Sequence, residues 1–354
     1  MRRFIVNVLL ALVPVALMAG VNYTRDPAGL FGGGLEARIA TVLASGHAVR
    51  DPGDYNPRLI NRDLIRLAPH APDVIVLGSS RAMHIRASAF SGRTMRNEAV
   101  FSATVEDFEA TLGMHDAADA WPREMVLALD PWLLNEFHGF TGWRSVTAEY
   151  EYMLRRLGID PSRGLPAMPP ALDRYLELLS PAYFQVALRT RPDAGRPHRA
   201  VPAPDTEVDE VTLRSDSSRL GARAEREMSR GDIERAALRD ATPPLQGFEH
   251  FSRLAPKPER ELELLTRFLF SKGVRVTYVL LPYHPLMKRV FDSNPAYVMV
   301  AQAEQRFRAV ARRLGVPIFG DYDSAACGCS ELDFSDGMHP DARCSQRALG
   351  AGPF

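Results

Sequence analysis

The stretch that decides the fold is Val74-Ile75-Val76-Leu77-Gly78-Ser79-Ser80-Arg81. Its first four residues form a continuous apolar run rich in β-branched side chains, which is typical of a strand buried on both faces of a parallel sheet. The Gly-Ser-Ser turn ends this strand and leads into a helical pattern. Open α/β sheets bind their ligands at the carboxyl ends of the strands, so the turn should present a serine hydroxyl there.

Further apolar runs alternate with helical patterns along the chain. The predicted strands are 94–97, 125–130, 274–281 and 316–319, and the predicted helices begin at Arg81 and cover 104–118, 258–272 and 297–314. Strands that alternate with helices form parallel sheets with right-handed crossovers. We therefore predict an α/β protein with a flavodoxin-like, three-layer α/β/α fold and a mainly parallel sheet.

A second informative motif, Asp336-Gly337-Met338-His339-Pro340, lies near the other end of the chain. Asp336 and His339 are close enough in sequence for the carboxylate to orient the imidazole while the imidazole reaches outward to a serine. With Ser80 they form a candidate Ser-His-Asp triad. Acyl-ester chemistry on such a triad needs no metal and no cofactor, and we predict neither.

These motifs resemble those of the SGNH, or GDSL-type, hydrolases. In that family a Gly-Asp-Ser turn carries the nucleophile, which corresponds here to Gly78-Ser79-Ser80, and a late Asp-x-x-His supplies the acid and the base. The second family block, an Asn followed five residues later by an oxyanion-hole Gly, resembles Asn97 to Ser102. A backbone N–H does not require Gly, so the resemblance implies that Ser80 and Ser102 donate to the oxyanion.

The third family block, Gly-x-Asn, is missing. At its place the chain reads Met125-Val126-Leu127-Ala128-Leu129-Asp130-Pro131-Trp132, and neither Asp130 nor Asn135 stands at the matching position. This departure resembles the membrane-anchored, periplasmic SGNH-like proteins of cell-envelope acylation, which work beside a membrane-bound O-acyltransferase. The resemblance covers about 70–135 and 260–340, within a predicted SGNH-like domain at 71–354.

The resemblance implies a periplasmic serine esterase or O-acyltransferase that acts on acyl esters, above all acetyl esters, of envelope or exopolysaccharide sugars. Water as acceptor would give an esterase, and a sugar hydroxyl would give a transferase. The alternative is a catalytically inactive protein that binds polysaccharide or serves as a scaffold for the membrane acyltransferase. A secreted lipase is disfavoured because the sequence contains no obvious large apolar entrance.

The amino terminus predicts the compartment. Arg2 and Arg3 precede an apolar run, 4–21, whose length suits a single transmembrane helix with the body of the protein outside the inner membrane. A cleaved signal peptide in 1–22 is the alternative, which would release the protein into the periplasm. Residues 23–70 are then a juxtamembrane lead-in with predicted helices at 35–44 and 56–67.

Residues 136–255 interrupt the alternation of strands and helices. Helical patterns occur at 146–157, 171–188 and 225–239, and a proline-containing polar segment at 191–210 predicts a loop. We interpret the region as a mostly helical insertion. Insertions of this kind line the cleft in doubly wound folds, so we expect it to bind the acceptor or a partner.

The cysteines flank the Asp-x-x-His motif. A disulfide from Cys344 to Cys327 or Cys329 would fix the catalytic loop and fits an oxidising compartment. A zinc site is the alternative, but its fourth ligand would have to be His339, which the triad uses. Three free thiols are the remaining possibility.

Composition excludes one class of partner. The chain has 354 residues, 46% of them hydrophobic, and a formal net charge of +0, so it can bury a full core and has no electrostatic attraction for nucleic acid. Two polar residues near the predicted site stay ambiguous. Arg81 could bind an anion or form a surface salt bridge. His284 could have a function, as the base in place of His339 or in contact with the acceptor, or it could only hold its loop.

Overall fold

The structure, a computed structural model, describes residues 2–25, 34–68, 70–161, 175–189, 201–203 and 209–350. Within them the strands are β1 (Ala48–Arg50), β2 (Val74–Leu77), β3 (Met95–Asn97), β4 (Glu124–Ala128), β5 (Val201–Ala203), β6 (Thr212–Leu213), β7 (Arg219–Leu220), β8 (Arg275–Leu280) and β9 (Ile318–Gly320). Five of them form a central sheet in the order β3-β2-β4-β8-β9, with every neighbouring pair parallel. This is the strand order of flavodoxin-like folds.

The described residues form twelve helices. They are α1 (Arg2–Arg25), α2 (Leu35–Ala44), α3 (Pro57–Leu67), α4 (Val105–Ala118), α5 (Thr147–Arg156), α6 (Pro181–Arg189), α7 (Arg223–Arg226), α8 (Arg230–Asp240), α9 (Pro256–Ser271), α10 (Pro285–Ser293), α11 (Val298–Leu314) and α12 (Ala342–Ala348). Local signals set several of their ends. The Asn56 side chain accepts the N–H of Arg58 and starts α3. Gly273, just after α9, has φ of 75°, as is common for a glycine that ends a helix.

The strands bury side chains on both faces of the sheet, as their unbroken apolar sequences predict. Ile75 and Leu77 face the core that α4, α9 and α11 cover, where Phe108, Leu262 and Phe307 are buried. Val74 and Val76 point the other way, into a smaller core with Phe90 and Leu349. A mixed α/β protein with a parallel five-stranded sheet is thus confirmed.

The prediction of a helix that begins at Arg81 is wrong. The chain instead makes two short 3-10 turns, Ser80–Ala82 and Ala87–Ala89. Side-chain hydrogen bonds from Asn97 to the carbonyls of Ala82 and Ile85, at 2.8 and 3.0 Å, take up acceptors that an α-helix would use internally. The tighter turns keep the segment after Ser80 close to the sheet edge.

A second sheet, absent from the sequence prediction, joins the lead-in to the insertion. Strand β1 pairs antiparallel with β5 and β6, and β6 pairs with β7. The helix predicted at 225–239 is divided into α7 and α8, because Ser229 caps α8 by accepting the N–H of Asp232. Parts of the predicted helix 171–188 and of the predicted loop 191–210 lie outside the described residues. The insertion therefore combines helices with short strands.

The apolar amino-terminal segment forms α1. Its Asn22 side chain donates to the carbonyls of Leu178 and Ser180, at 3.0 and 3.3 Å, and α1 contacts α6. The predicted transmembrane helix is not supported by the structure: within the described residues, no helix combines the length and the apolar character needed to cross a membrane.

Candidate active site

Ser80, His339 and Asp336 meet at the carboxyl edge of the parallel sheet, although the serine is distant in sequence from the other two. Ser80 Oγ lies 2.9 Å from Nε2 of His339. Nδ1 of His339 lies 2.8 Å from Oδ2 and 3.0 Å from Oδ1 of Asp336. Because a carboxylate only accepts, Nδ1 carries the proton and Nε2 can accept the proton of the serine. This is the arrangement of a Ser-His-Asp triad.

The turn that carries the serine has no room for a larger residue before it. A Cβ on Gly78 would lie 2.7 Å from the Cβ of Ala128 and 2.8 Å from that of Ala82, distances that real Cβ atoms do not show. Ser79 is buried, and its hydroxyl accepts the backbone N–H two residues later, at 3.2 Å. The close approach of the backbone to β4 thus fixes the direction in which Ser80 leaves the sheet.

The acid of the triad sits in a hydrogen-bonded loop. Asp336 Oδ1 accepts the backbone N–H groups of Met338 and His339, each at 2.8 Å. Burial by itself raises the pKa of Asp336, but the interactions with His339 and these backbone donors outweigh it and lower that pKa. Asp240, from α8, accepts the N–H of Gly337 at 3.0 Å and holds the loop from the insertion side. Asp336 is therefore ionised at neutral pH.

The two predicted oxyanion donors have available backbone N–H groups. Within the described residues, neither Ser80 nor Ser102 donates its N–H to a protein acceptor. Ser102 has φ of 50°, in the left-handed region that favours Gly. This backbone conformation explains why the similar motif has a Gly at the corresponding position. Asn97 is 3% exposed and holds the turn after Ser80 through its side-chain amide. The second block therefore supports the nucleophile turn.

The polar residues near the missing third block are engaged elsewhere. The Asp130 carboxylate pairs with the Arg81 guanidinium. The Asn135 side-chain amide donates to the carbonyls of Gly247 and Glu249, at 3.0 and 3.2 Å. Both side chains are buried, so neither replaces the oxyanion Asn.

Arg81 has neither of the roles that the sequence suggested. It is 1% exposed, so it lies neither on a helix surface nor open to an anion. Besides Asp130, its guanidinium binds the carbonyl of Pro282 at 2.8 Å, and its Nε donates to the carbonyl of Met338 at 2.9 Å. The Cζ atom of the guanidinium lies 3.6 Å from the centre of the Tyr283 ring, in a cation–π contact. Arg81 thus fastens the loop that carries Asp336 and His339 to two strand ends.

His284 holds its loop. It is 2% exposed, and its Nδ1 accepts the N–H of Leu286, which starts α10. Its backbone N–H donates to the carbonyl of Gly337 at 3.2 Å, and burial lowers its pKa. Of the two interpretations of His284, the local structural one agrees with these contacts.

His84 lies beside the triad, a position that the sequence did not indicate. Its Nδ1 lies 3.1 Å from the carbonyl oxygen of Arg219, and the side chain lines the space beside the triad. Burial, followed by the nearby His339 and Arg219, lowers the pKa of His84 to about 3. The signal in the sequence is a histidine four residues after the candidate nucleophile, in a stretch whose pattern predicts an ordinary helix.

The triad opens into a cleft of about 810 Å³. Asp51 and Tyr55 line it from the lead-in, while Arg219 and Arg239 line it from the insertion. Both regions outside the parallel sheet thus contribute walls, as expected for the insertion. The cleft is large enough for a sugar bearing an ester and carries charged groups of both signs.

The predicted disulfide is present, and its partner is now defined. Cys329 bonds Cys344, with Cα atoms 5.5 Å apart, and the loop between them contains Asp336 and His339. Cys327 is the free thiol, and burial raises its pKa to about 11, which keeps it protonated. Two of the three sulfurs needed for the zinc alternative are therefore bonded to each other. No cluster suited to a metal ion occurs among the described residues.

Comparison with known proteins gave no matching family model and no significant match among curated proteins. The likeness to the SGNH hydrolases therefore depends on the motifs quoted above and on their arrangement in space.

Proposed function

We propose that this protein is an SGNH-like serine esterase or O-acyltransferase that acts on acyl esters of sugars. The observation that carries the proposal is the continuous hydrogen-bonded chain from Ser80 through His339 to Asp336, open to a cleft at the carboxyl edge of a parallel sheet. Serine nucleophiles are activated by such a base, itself oriented by a third group.

The chemistry follows from the protonation states. Ser80 Oγ attacks the ester carbonyl while Nε2 of His339 takes its proton, and Asp336 stabilises the imidazolium that forms. The proton then passes to the departing alcohol, which leaves an acyl group on Ser80. Backbone N–H groups of Ser80 and Ser102 supply the oxyanion donors. A water molecule or a sugar hydroxyl, deprotonated by the same imidazole, then attacks the acyl-enzyme and restores Ser80.

We also propose that the protein works in the periplasm, held at the inner membrane by its amino terminus, beside a membrane-bound O-acyltransferase. Acyl, above all acetyl, esters of cell-envelope or exopolysaccharide sugars are the proposed substrates. The disulfide at Cys329 supports an oxidising compartment. Leu12 and Leu17, exposed to 53% and 66%, give α1 an apolar surface suited to lipid. The resemblance to envelope acylation proteins supports the choice of substrate and partner.

The first test is acyl-enzyme formation. Purified protein mixed with p-nitrophenyl acetate should release a burst of p-nitrophenol equal to the enzyme concentration, and mass spectrometry should find one acetyl group on Ser80. Ser80→Ala should give neither. A burst of equal size from the variant would place the acyl group elsewhere and contradict the triad.

The second candidate function is a binding or scaffold protein on a hydrolase fold. It is favoured by the engagement of Asp130 and Asn135, which leaves the third block without an oxyanion side chain in the described part of the site. It predicts that cells carrying Ser80→Ala keep the acetyl content of their surface polymer and that only deletion of the domain reduces it. Measuring polymer-bound acetyl in both strains separates the candidates, because an enzyme predicts the loss in both.

A further inference from the structure

The catalytic cleft continues into a second cavity of about 640 Å³, which we call the side chamber. His84, Glu225, Met228 and Ser335 line both spaces, so the chamber opens directly beside the triad. Ser335 immediately precedes the catalytic acid. The chamber therefore extends along the outer side of the loop that carries the acid and the base.

The walls of the chamber combine apolar and polar surfaces. Leu220, Ile233 and Phe334 supply apolar area, and charged side chains of both signs, among them Arg230 and Asp341, also line the chamber. A sugar has apolar C–H faces and a rim of hydroxyl groups, so a cavity with both kinds of wall suits it better than it suits a fatty acyl chain. Residues of the insertion supply much of this lining.

His84 stands at the junction with one hydrogen-bonding position still open. A carbonyl oxygen can only accept, so the 3.1 Å contact with Arg219 requires the proton on Nδ1. Because the pKa of His84 is lowered to about 3, the ring is neutral at physiological pH and Nε2 carries a lone pair. Within the described residues, Nε2 has no hydrogen-bond partner.

We propose that the side chamber binds the sugar acceptor and that Nε2 of His84 accepts a hydrogen bond from an acceptor hydroxyl next to the reacting one. This inference rests on the proposed acyl-transfer function. In the transfer step the reacting hydroxyl gives its proton to His339 as its oxygen bonds the acyl carbon. The bond between that carbon and Ser80 Oγ then breaks, and the proton returns to Ser80. His84 takes no proton; it selects acceptors that have neighbouring hydroxyl groups.

The test compares two acceptors that compete for one acyl-enzyme. The full-length protein is acetylated with p-nitrophenyl acetate in a mixture of methyl α-D-glucopyranoside and methanol, and both acetylated products are quantified. Methanol has no second hydroxyl, so the ratio of glucoside product to methyl acetate reports the proposed contact. Loss of one hydrogen bond in a closed site should lower that ratio about tenfold.

Two substitutions at His84 separate this role from a structural one. In His84→Asn the amide nitrogen can take the place of Nδ1 and keep the bond to the Arg219 carbonyl, but nothing replaces Nε2. In His84→Gln the amide reaches the Nε2 position. We expect the product ratio to fall about tenfold in the Asn variant and to recover partly in the Gln variant. Glu234→Gln, on the exposed side of α8, is the matched control and should keep the wild-type ratio.

A third variant tests the chamber without touching His84. Ala342→Trp fills the space from the first residue of α12 and should also lower the glucoside ratio. An unchanged ratio in both His84→Asn and Ala342→Trp, with a normal burst, would overturn this inference and leave the proposed function standing. Absence of both a burst and steady-state hydrolysis of p-nitrophenyl acetate by the wild-type protein would instead reject the proposed function. If Ala342→Trp changed the preference between acetate and butyrate donors but not the acceptor ratio, the chamber would hold the acyl chain, and the inference would be wrong.

Discussion

The sheet edge that carries the triad and the surroundings of Glu109, in the helical layer behind it, treat buried charge in opposite ways. At the edge, Arg81 pairs with Asp130, and Asp336 pairs with His339. In the layer, Glu109 of α4 is 0% exposed, and neither of its carboxylate oxygens has a hydrogen-bond partner within the described residues.

The neighbours of Glu109 make the contrast stronger. Burial first, and then the nearby Glu261 and Glu106, raise its pKa well above the ordinary value. The pKa of Glu261 is itself raised to about 7, chiefly by burial, although Lys257 opposes the change. Paired charges keep one geometry over a wide pH range, whereas a buried carboxyl group without a partner must stay protonated. The edge is thus suited to a fixed arrangement of its side chains, whereas Glu109 and Glu261 make stability depend on pH.

The first prediction, with the largest expected effect, tests whether the triad at the sheet edge catalyses ester cleavage. Ser80→Ala should reduce kcat for p-nitrophenyl acetate by at least about 10⁴-fold, because triad members act as a unit. Since Ser80 is only partly buried, the free energy of unfolding should change by less than about 0.5 kcal/mol. Urea denaturation checks the fold, and Ser145→Ala, at an exposed serine, is the control. Comparable kcat values for the two variants would remove Ser80 from the mechanism.

The second prediction concerns removal of the ion pair between Arg81 and Asp130 at the edge. Arg81→Met leaves Asp130 buried without its partner and should lower the free energy of unfolding by about 3–5 kcal/mol. Adding Asp130→Leu should restore most of that loss, because apolar replacement of a whole buried pair is often neutral.

The control for this experiment is a pair on the surface. Arg253→Met removes a partner of Glu136, in a pair whose side chains are 70% and 37% exposed, and should cost less than about 1 kcal/mol. Equal losses from Arg81→Met and Arg253→Met in urea denaturation would show that burial of the edge pair has no energetic consequence. Catalysis should also fall in Arg81→Met, because the carbonyl of Met338 loses its donor.

The third prediction concerns the disulfide that closes the loop carrying Asp336 and His339. The disulfide spans 15 residues, so replacing Cys329 and Cys344 together by Ser should lower the free energy of unfolding by about 3 kcal/mol. Cys327→Ser is the matched control and should cost less than about 1 kcal/mol. A reducing agent should lower the melting temperature of the wild-type protein and leave that of the double variant unchanged. The opposite pattern would contradict the pairing of Cys329 with Cys344.

The parts of the site that the sequence predicted are those set by local pattern. The apolar run before Gly78 identifies a strand, and the spacing of Asp336 and His339 lets them interact within one loop. The pairing of β1 with β5 and β6 was not predictable in this way, because strands of two or three residues carry little pattern and their register depends on contacts distant in sequence.

Adjacent residues show where local pattern fails. Ser80 faces the cleft and Arg81 is buried, yet nothing in the order of these residues decides which side chain turns inward. The decision depends on the positions of Asp130 and the Pro282 carbonyl, which follow the ends of two other strands. His84 was missed for a related reason: its place beside the triad depends on the short 3-10 turns and on β7, whose Arg219 carbonyl it contacts.

The smallest expected effect tests the helical layer. The pKa of Glu109 in the folded protein is raised above the ordinary value of 4.5, so the folded state binds more protons than the unfolded state above that pH. The stabilising contribution of the protonated carboxyl is therefore complete below about pH 4.5 and is lost as the pH rises through the folded pKa. Glu109→Gln, which cannot ionise, should gain on the order of 1–3 kcal/mol relative to wild type between pH 4.5 and pH 8. Urea denaturation at both pH values measures this, with Glu234→Gln as the exposed control; if the two variants follow the same pH profile, Glu109 holds no extra proton and the contrast between edge and layer fails.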